Sequence, residues 1–174
     1  PKDVVGLKAM AIAAQRWYEN FRPSGMKVHA GAPVIEHWRV EQYFKVLADA
    51  GVTLLGEVGL GTVKDGKTAQ QMVGWARKYG IQSTIHTGGP SIPGSGLIDA
   101  DMVMETGTDV IGHINGGHSA LPDDQIICLC ESCKAAFEIV HNGNERAAVL
   151  TVNTARELGK LDQVILGTDG PAGS

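Results

Sequence analysis

The stretch Ile81-Gln82-Ser83-Thr84-Ile85-His86-Thr87-Gly88-Gly89 places a short β-branched run directly before a histidine and two glycines. That pattern fits a buried strand whose end carries a polar side chain and then turns sharply. Upstream, Lys67 to Tyr79 gathers apolar residues on one helical face and closes on Gly80, a residue that ends helices. Downstream, Leu97 to Thr106 reads as the next helix. Val110 to His113 reads as the next strand, within Gly112-His113-Ile114-Asn115-Gly116-Gly117. Strand, helix and strand in succession predict parallel strands joined by helical crossovers.

The same unit repeats on both sides. Helices are expected at about Val5 to Asn20, Glu36 to Ala50, Pro122 to Ser132 and Glu145 to Leu158, with Gly51 and Gly159 as further stops. Strands are expected at Met26 to His29, Val52 to Val58, Ala136 to Val140 and Val164 to Leu166. Each strand exit carries a polar residue: His29, Glu57, His86, His113, His141 and Asp169, at intervals of 28, 29, 27, 28 and 28. Each interval is one strand-helix unit, so right-handed crossovers bring these side chains to one end of successive parallel strands. The fold class expected is α/β, a partial (β/α)8 TIM barrel. The 174 residues fall short of the roughly 250 of a whole barrel. A doubly wound open sheet is the alternative, but Gly59-x-Gly61 lacks the third glycine of a dinucleotide fingerprint.

Composition narrows the partners. Hydrophobic residues at 43% and charged residues at 20% are ordinary globular usage. Fifteen Lys and Arg against nineteen Asp and Glu give a net charge of -4 and no basic field for nucleic acid. No apolar stretch approaches the roughly 18 residues of a membrane span, and the start at Pro1 lacks a signal-peptide pattern, so a cytoplasmic location is expected. Cys128, Cys130 and Cys133 have no second Cys or His pair to complete a structural zinc site; they read as small apolar residues on a helix and its exit.

Imidazole nitrogen and carboxylate oxygen are the usual ligands of zinc and ferrous iron where a water must stay bound and reactive. The exits supply both, at Leu55-Gly56-Glu57-Val58-Gly59, His86-Thr87-Gly88-Gly89, Gly112-His113-Ile114-Asn115-Gly116-Gly117 and Gly167-Thr168-Asp169-Gly170-Pro171-Ala172-Gly173. In these motifs and their order the chain resembles the amidohydrolase superfamily, and within it the enamidase branch. The resemblance implies a metal-dependent hydrolase with a binuclear site for zinc and iron. In it Glu57 bridges two ions, His86 and His113 hold one, and Asp169 helps hold the other. It also implies hydrolysis of a cyclic amide C-N bond by a metal-activated water, with Asp169 as catalytic general base and then acid. The substrate implied is 6-oxo-1,4,5,6-tetrahydronicotinate, and a homo-oligomer is implied as well. Other hydrolases of the superfamily, resembling imidazolonepropionase, dihydroorotase or deaminases, are the nearest rivals. A barrel that binds a ligand without catalysis is a rival of another class.

The superfamily's first strand carries a His-x-His pair, and none occurs in this sequence. Counting back along the period makes Met26 to His29 the third strand. Residues 1–174 are therefore expected to be a catalytic barrel incomplete at both ends, covering strands 3 to 8, with open edges that expose unpaired backbone and apolar lining. Such a chain is expected to bind at most one metal well, through Glu57, His86 and His113. Asn115 and His118 are candidates for substrate contact. His29 and His141 share the active face in packing or substrate roles, His37 reads as a surface or cap residue, and Asp99, Asp101, Asp123 and Asp124 as helix-start charges.

Overall fold

A computed structural model describes residues 3–20, 40–116 and 119–169. The expected strand at Met26 to His29, the start of the helix expected from Glu36, His37 and His118 lie outside the described residues.

Among the described residues, six α-helices and four strands follow one another: α1 (Val4–Asn20), α2 (Glu41–Asp49), α3 (Gly66–Lys78), β1 (Thr84–Ile85), α4 (Ala100–Thr106), β2 (Val110–Ile111), α5 (Asp123–Ser132), β3 (Ala136–Val140), α6 (Glu145–Glu157) and β4 (Val164–Gly167). Local chemistry sets the helix ends. Asp65, Asp99 and Asn144 each accept a backbone N–H from the first turn of α3, α4 and α6, satisfying a donor that the helix cannot. Arg77 and Lys78 close α3, where cations suit the helix dipole. The glycines read as stops, Gly51, Gly80 and Gly159, all have positive φ, at 82°, 71° and 69°. Asp123 and Asp124 lie in the first turn of α5 and Asp101 in that of α4, as helix-start charges should.

The strands pair in parallel and in sequence order, β1-β2-β3-β4. A doubly wound sheet reverses its strand order at a switch point; this one does not, so every crossover steps the same way. Register aligns Ile85, Ile111, Phe137 and Val164 in one row across the sheet. The first three are fully buried in a single core with Met72, Val73, Val103, Ile126 and Leu129 of the helices. Each such side chain contributes about 1.5–3 kcal/mol by leaving water. The opposite face of the sheet carries Thr84 and Glu138. At the far edge, β4 leaves Ile165 40% and Leu166 84% exposed.

The stretch expected as a strand at Val52 to Val58 is not a continuous one. Leu54 bridges Gln82 and Val58 bridges Ile85, so four steps on one chain match three on the other. One extra residue is absorbed between the bridges, a β-bulge. Without it the period of two would turn Glu57 to the helix side with Leu55; with it Glu57 emerges on the same side as Thr84.

Candidate metal centre

Three strand exits bring their side chains together. Glu57 leaves the bulge, His86 follows β1, and His113 sits one residue past Gly112 at the end of β2. Only glycine fits at position 112, because a Cβ there would lie 2.8 Å from the Ile85 carbonyl oxygen and 2.9 Å from the Thr84 methyl. Neighbouring strands can therefore close up beneath the ligands.

The Glu57 carboxylate reaches both imidazoles. Its Oε1 lies 3.2 Å from His113 Nε2 and its Oε2 lies 3.6 Å from His86 Nδ1. The two ring nitrogens are 2.9 Å apart. A tetrahedral zinc ion with ligands at about 2.0–2.1 Å requires donor atoms roughly 3.3 Å from one another. The observed spacings bracket that edge, so the three donors fit one such ion. The His86 and His113 side chains are 3% and 6% exposed, while Glu57 at 29% keeps an opening to solvent. Among the described residues this is the one group of three or more His, Cys, Asp or Glu with that convergence.

Outer contacts orient the rings. His86 Nε2 lies 2.7 Å from the Gly89 carbonyl, which assigns the proton to Nε2 and turns the Nδ1 lone pair inward. His113 has φ of 32°, in the left-handed region that non-glycine residues avoid. The Thr87 hydroxyl donates to the Gly112 and His113 carbonyls at 2.8 and 3.3 Å, and Glu138 Oε2 accepts the His113 N–H at 3.2 Å. Electrostatics follow the geometry. Burial would raise the Glu57 pKa, but the polar contacts with His113 and His86 outweigh it and hold the carboxyl at about 2. Burial would lower that of His113, but the hydrogen bond and charge of Glu57, joined by the charge of Asp169, raise it.

The remaining candidates lie apart. Asp169 follows β4, exposed and with φ of 46°, and its carboxylate is outside the three-residue cluster. Its backbone carbonyl accepts from Asn142 at 3.1 Å. Asn115 is buried, with Nδ2 donating to the Val140 carbonyl at 3.0 Å and Oδ1 accepting the Val140 N–H at 2.8 Å. Its amide thus extends the β2-β3 pairing where the backbone has turned away. His141 is exposed and outside the cluster. Cys130 is buried in the core and burial pushes its thiol up to about 11, while Cys128 lies on α5 and Cys133 caps it. No helix among the described residues is long and apolar enough to cross a membrane. Glu138 is the functional neighbour that sequence reasoning missed. Its signal is a carboxylate alternating with Phe137 and Ile139 inside an apolar strand.

No family model matches the chain. Over all 174 residues it is 44% identical to the enamidase of Eubacterium barkeri, of which it spans 45%. It superposes on the crystal structure of enamidase, described there as a new member of the amidohydrolase superfamily, with a TM-score of 0.88 at 44% identity. That match covers 99% of this chain and 45% of the other. The chain thus spans less than half the length of the relative it matches, and its in-order parallel strands form part of that relative's TIM barrel. With histidine and carboxylate donors converging at the strand exits of this fold, the chain is similar, over the portion it spans, to enamidase, a member of the amidohydrolase superfamily.

Proposed function

We propose that the protein carrying this chain hydrolyses the C-N bond of a cyclic amide, with Glu57, His86 and His113 holding a divalent metal ion. The observation that supports this reading best is the convergence of those three donors at tetrahedral spacing in a chain 44% identical to enamidase. Residues 1–174 act in it as part of the catalytic barrel. A binuclear zinc and iron centre would extend the reading, with Glu57 and Asp169 among the residues that would hold its second ion. A metal ion there would supply Lewis acidity and bring the pKa of a water down toward about 7.

The chain's own groups do the rest. Glu57 stays ionised, which its pKa of about 2 supports, and turns one oxygen toward each of the two histidines. His86 presents Nδ1 because Gly89 holds its other nitrogen. Asp169, exposed at the next exit, takes the proton from the attacking water and returns it to the leaving nitrogen. With 6-oxo-1,4,5,6-tetrahydronicotinate as substrate, one water opens the ring and a second converts the freed enamine to the aldehyde, giving 2-formylglutarate and ammonia. Of the two loop residues expected at the substrate, His118 keeps that role; Asn115 fixes the loop, since Val140 engages both ends of its amide. A cytoplasmic site of action accords with three free cysteines. A homo-oligomer, checked by sizing chromatography, completes the reading.

The test is to express the protein anaerobically with zinc and iron, then measure metal content and ammonia release from that substrate. Two metals with turnover are expected. Metals without turnover would remove the substrate, and no metal would remove the catalytic reading.

A further inference from the structure

The carboxylate of Glu138 stands on β3, one strand away from the site, and no part of the proposed reaction uses it. Its register partner is Ile165 of β4, and its own carbonyl accepts the Ile114 N–H at 2.9 Å. Its side chain crosses to the neighbouring strand exit, where Oε2 accepts the backbone N–H of His113 at 3.2 Å. On the other flank it presses on Gly167, where any Cβ would collide with Oε1. β4 thus leaves room for this carboxylate at the one position where a side chain would displace it.

The contact matters because of where it lands. His113 has φ of 32°, a strained conformation for a non-glycine residue that persists only where surroundings enforce it. Two neighbours do so from opposite sides. Thr87 holds the carbonyls of Gly112 and His113, and Glu138 holds the His113 N–H. An ordinary strand conformation at this residue would swing the imidazole away from Glu57 and His86. We infer that Glu138 is a positioning residue: its carboxylate fixes the left-handed turn at His113 and thereby aims Nε2 into the metal centre. The inference rests on the metal-site reading above but not on any substrate.

The experiment compares Glu138→Ala and Glu138→Gln with the wild type in the complete protein. Co(II) affinity is measured by competition with a chromophoric chelator, together with the Co(II) absorption spectrum and amide hydrogen exchange at His113. Removal of an outer partner lowers metal affinity by about 10–100-fold. That loss is expected for Glu138→Ala, with a changed spectrum and faster exchange at His113. Glu138→Gln keeps an acceptor oxygen in place and should stay within about 3-fold of wild type by the same measure. Glu138→Ala that binds Co(II) like the wild type, with the same spectrum, overturns the inference even if it melts earlier. So does Glu138→Gln as impaired as Glu138→Ala. If Glu138→Ala does not fold, Glu138→Asp draws the acceptor back by one methylene: weaker Co(II) binding then supports the role, and wild-type binding overturns it. A wild type that takes up no Co(II) removes the metal reading and this role with it, while exchange at His113 still reports whether Glu138 holds the turn.

Discussion

At the amino ends of β1 and β2, Ser83, Thr108, Asp109 and Arg77 form a polar knot in which the groups answer one another. Asp109 Oδ2 accepts the Ser83 N–H and hydroxyl at 2.8 Å each, its Oδ1 accepts from Arg77 at 3.2 Å, and Thr108 donates to the Ser83 carbonyl at 3.0 Å. At the carboxyl ends of the same strands, Glu57, His86 and His113 crowd three ligand atoms into one place on backbone that is bulged at one exit and left-handed at another. Both ends lower a carboxyl pKa against burial. Asp109 does so through Ser83 and Arg77, permanent donors; Glu57 does so through imidazoles whose proton a metal can replace. Donors that a cation cannot displace make structure. Donors that it can displace make a site.

Mutation at each end separates the two. Glu57→Ala should lower kcat/KM by on the order of 10³-fold, several kcal/mol of charge stabilisation at about 1.4 kcal/mol per decade, with metal content falling in parallel. Thermal stability of the metal-free protein should fall as well, because the contact with His113 and His86 is lost; a metal-replete Glu57→Ala enzyme would erase the distinction. Next in size is pH. His113 must surrender a proton to bind metal, and although burial acts to lower its pKa, the Glu57 hydrogen bond and the Glu57 and Asp169 charges raise it above 6.5. Apparent metal affinity should therefore fall about tenfold per unit as pH drops below that raised value, with no second carboxylate break until Glu57 protonates near 2. Metal-free stability runs the other way. The His113 contribution is complete below 6.5 and lost as pH rises through its raised pKa; the Glu57 contribution is present above 4.5 and lost as pH falls through about 2. Chelator competition and urea melts at several pH values check both signs.

Asp109→Ala should cost about 1–3 kcal/mol in urea unfolding by leaving the Ser83 groups unpaired, with metal affinity unchanged. A large affinity loss there would join the two ends into one unit. The smallest effect belongs to a position remote from the ligands. At Gly80 nothing lies within 4 Å of an added Cβ, so Gly80→Ala carries only the strain of φ at 71°, about 1 kcal/mol, visible in a melt and absent from metal titrations.

Much of this was legible in the sequence because local signals agreed with the fold. Ala136 to Val140 has the bounds of β3, and the stop at Gly159 follows the end of α6. The even spacing of polar exits set Glu57, His86 and His113 at one end of the strands together with His29, His141 and Asp169, and the resemblance chose among them. What was hidden depends on partners across strands. The bulge before Glu57 exists only relative to Gln82 and Ile85. Glu138 looks like a solvent-side residue until its oxygen is seen on the His113 N–H. Asn115 reads as a loop residue facing a ligand, and its closure on Val140 joins positions 25 apart in the chain.

The bulge also has a genetic meaning. Because it takes up one residue while the segments on either side keep their faces, Leu55 toward the helices and Glu57 toward the ligands, the chain carries an insertion without a frameshift in its pattern. Loss of the Gly56 codon would let the segment pair as a regular strand, with Leu55 and Val58 still toward the helices and Glu57 still toward the ligands. What it would remove is the bend of the bulge, and with it the angle at which one carboxylate meets the two imidazoles, a change that hydropathy comparison would score as silent.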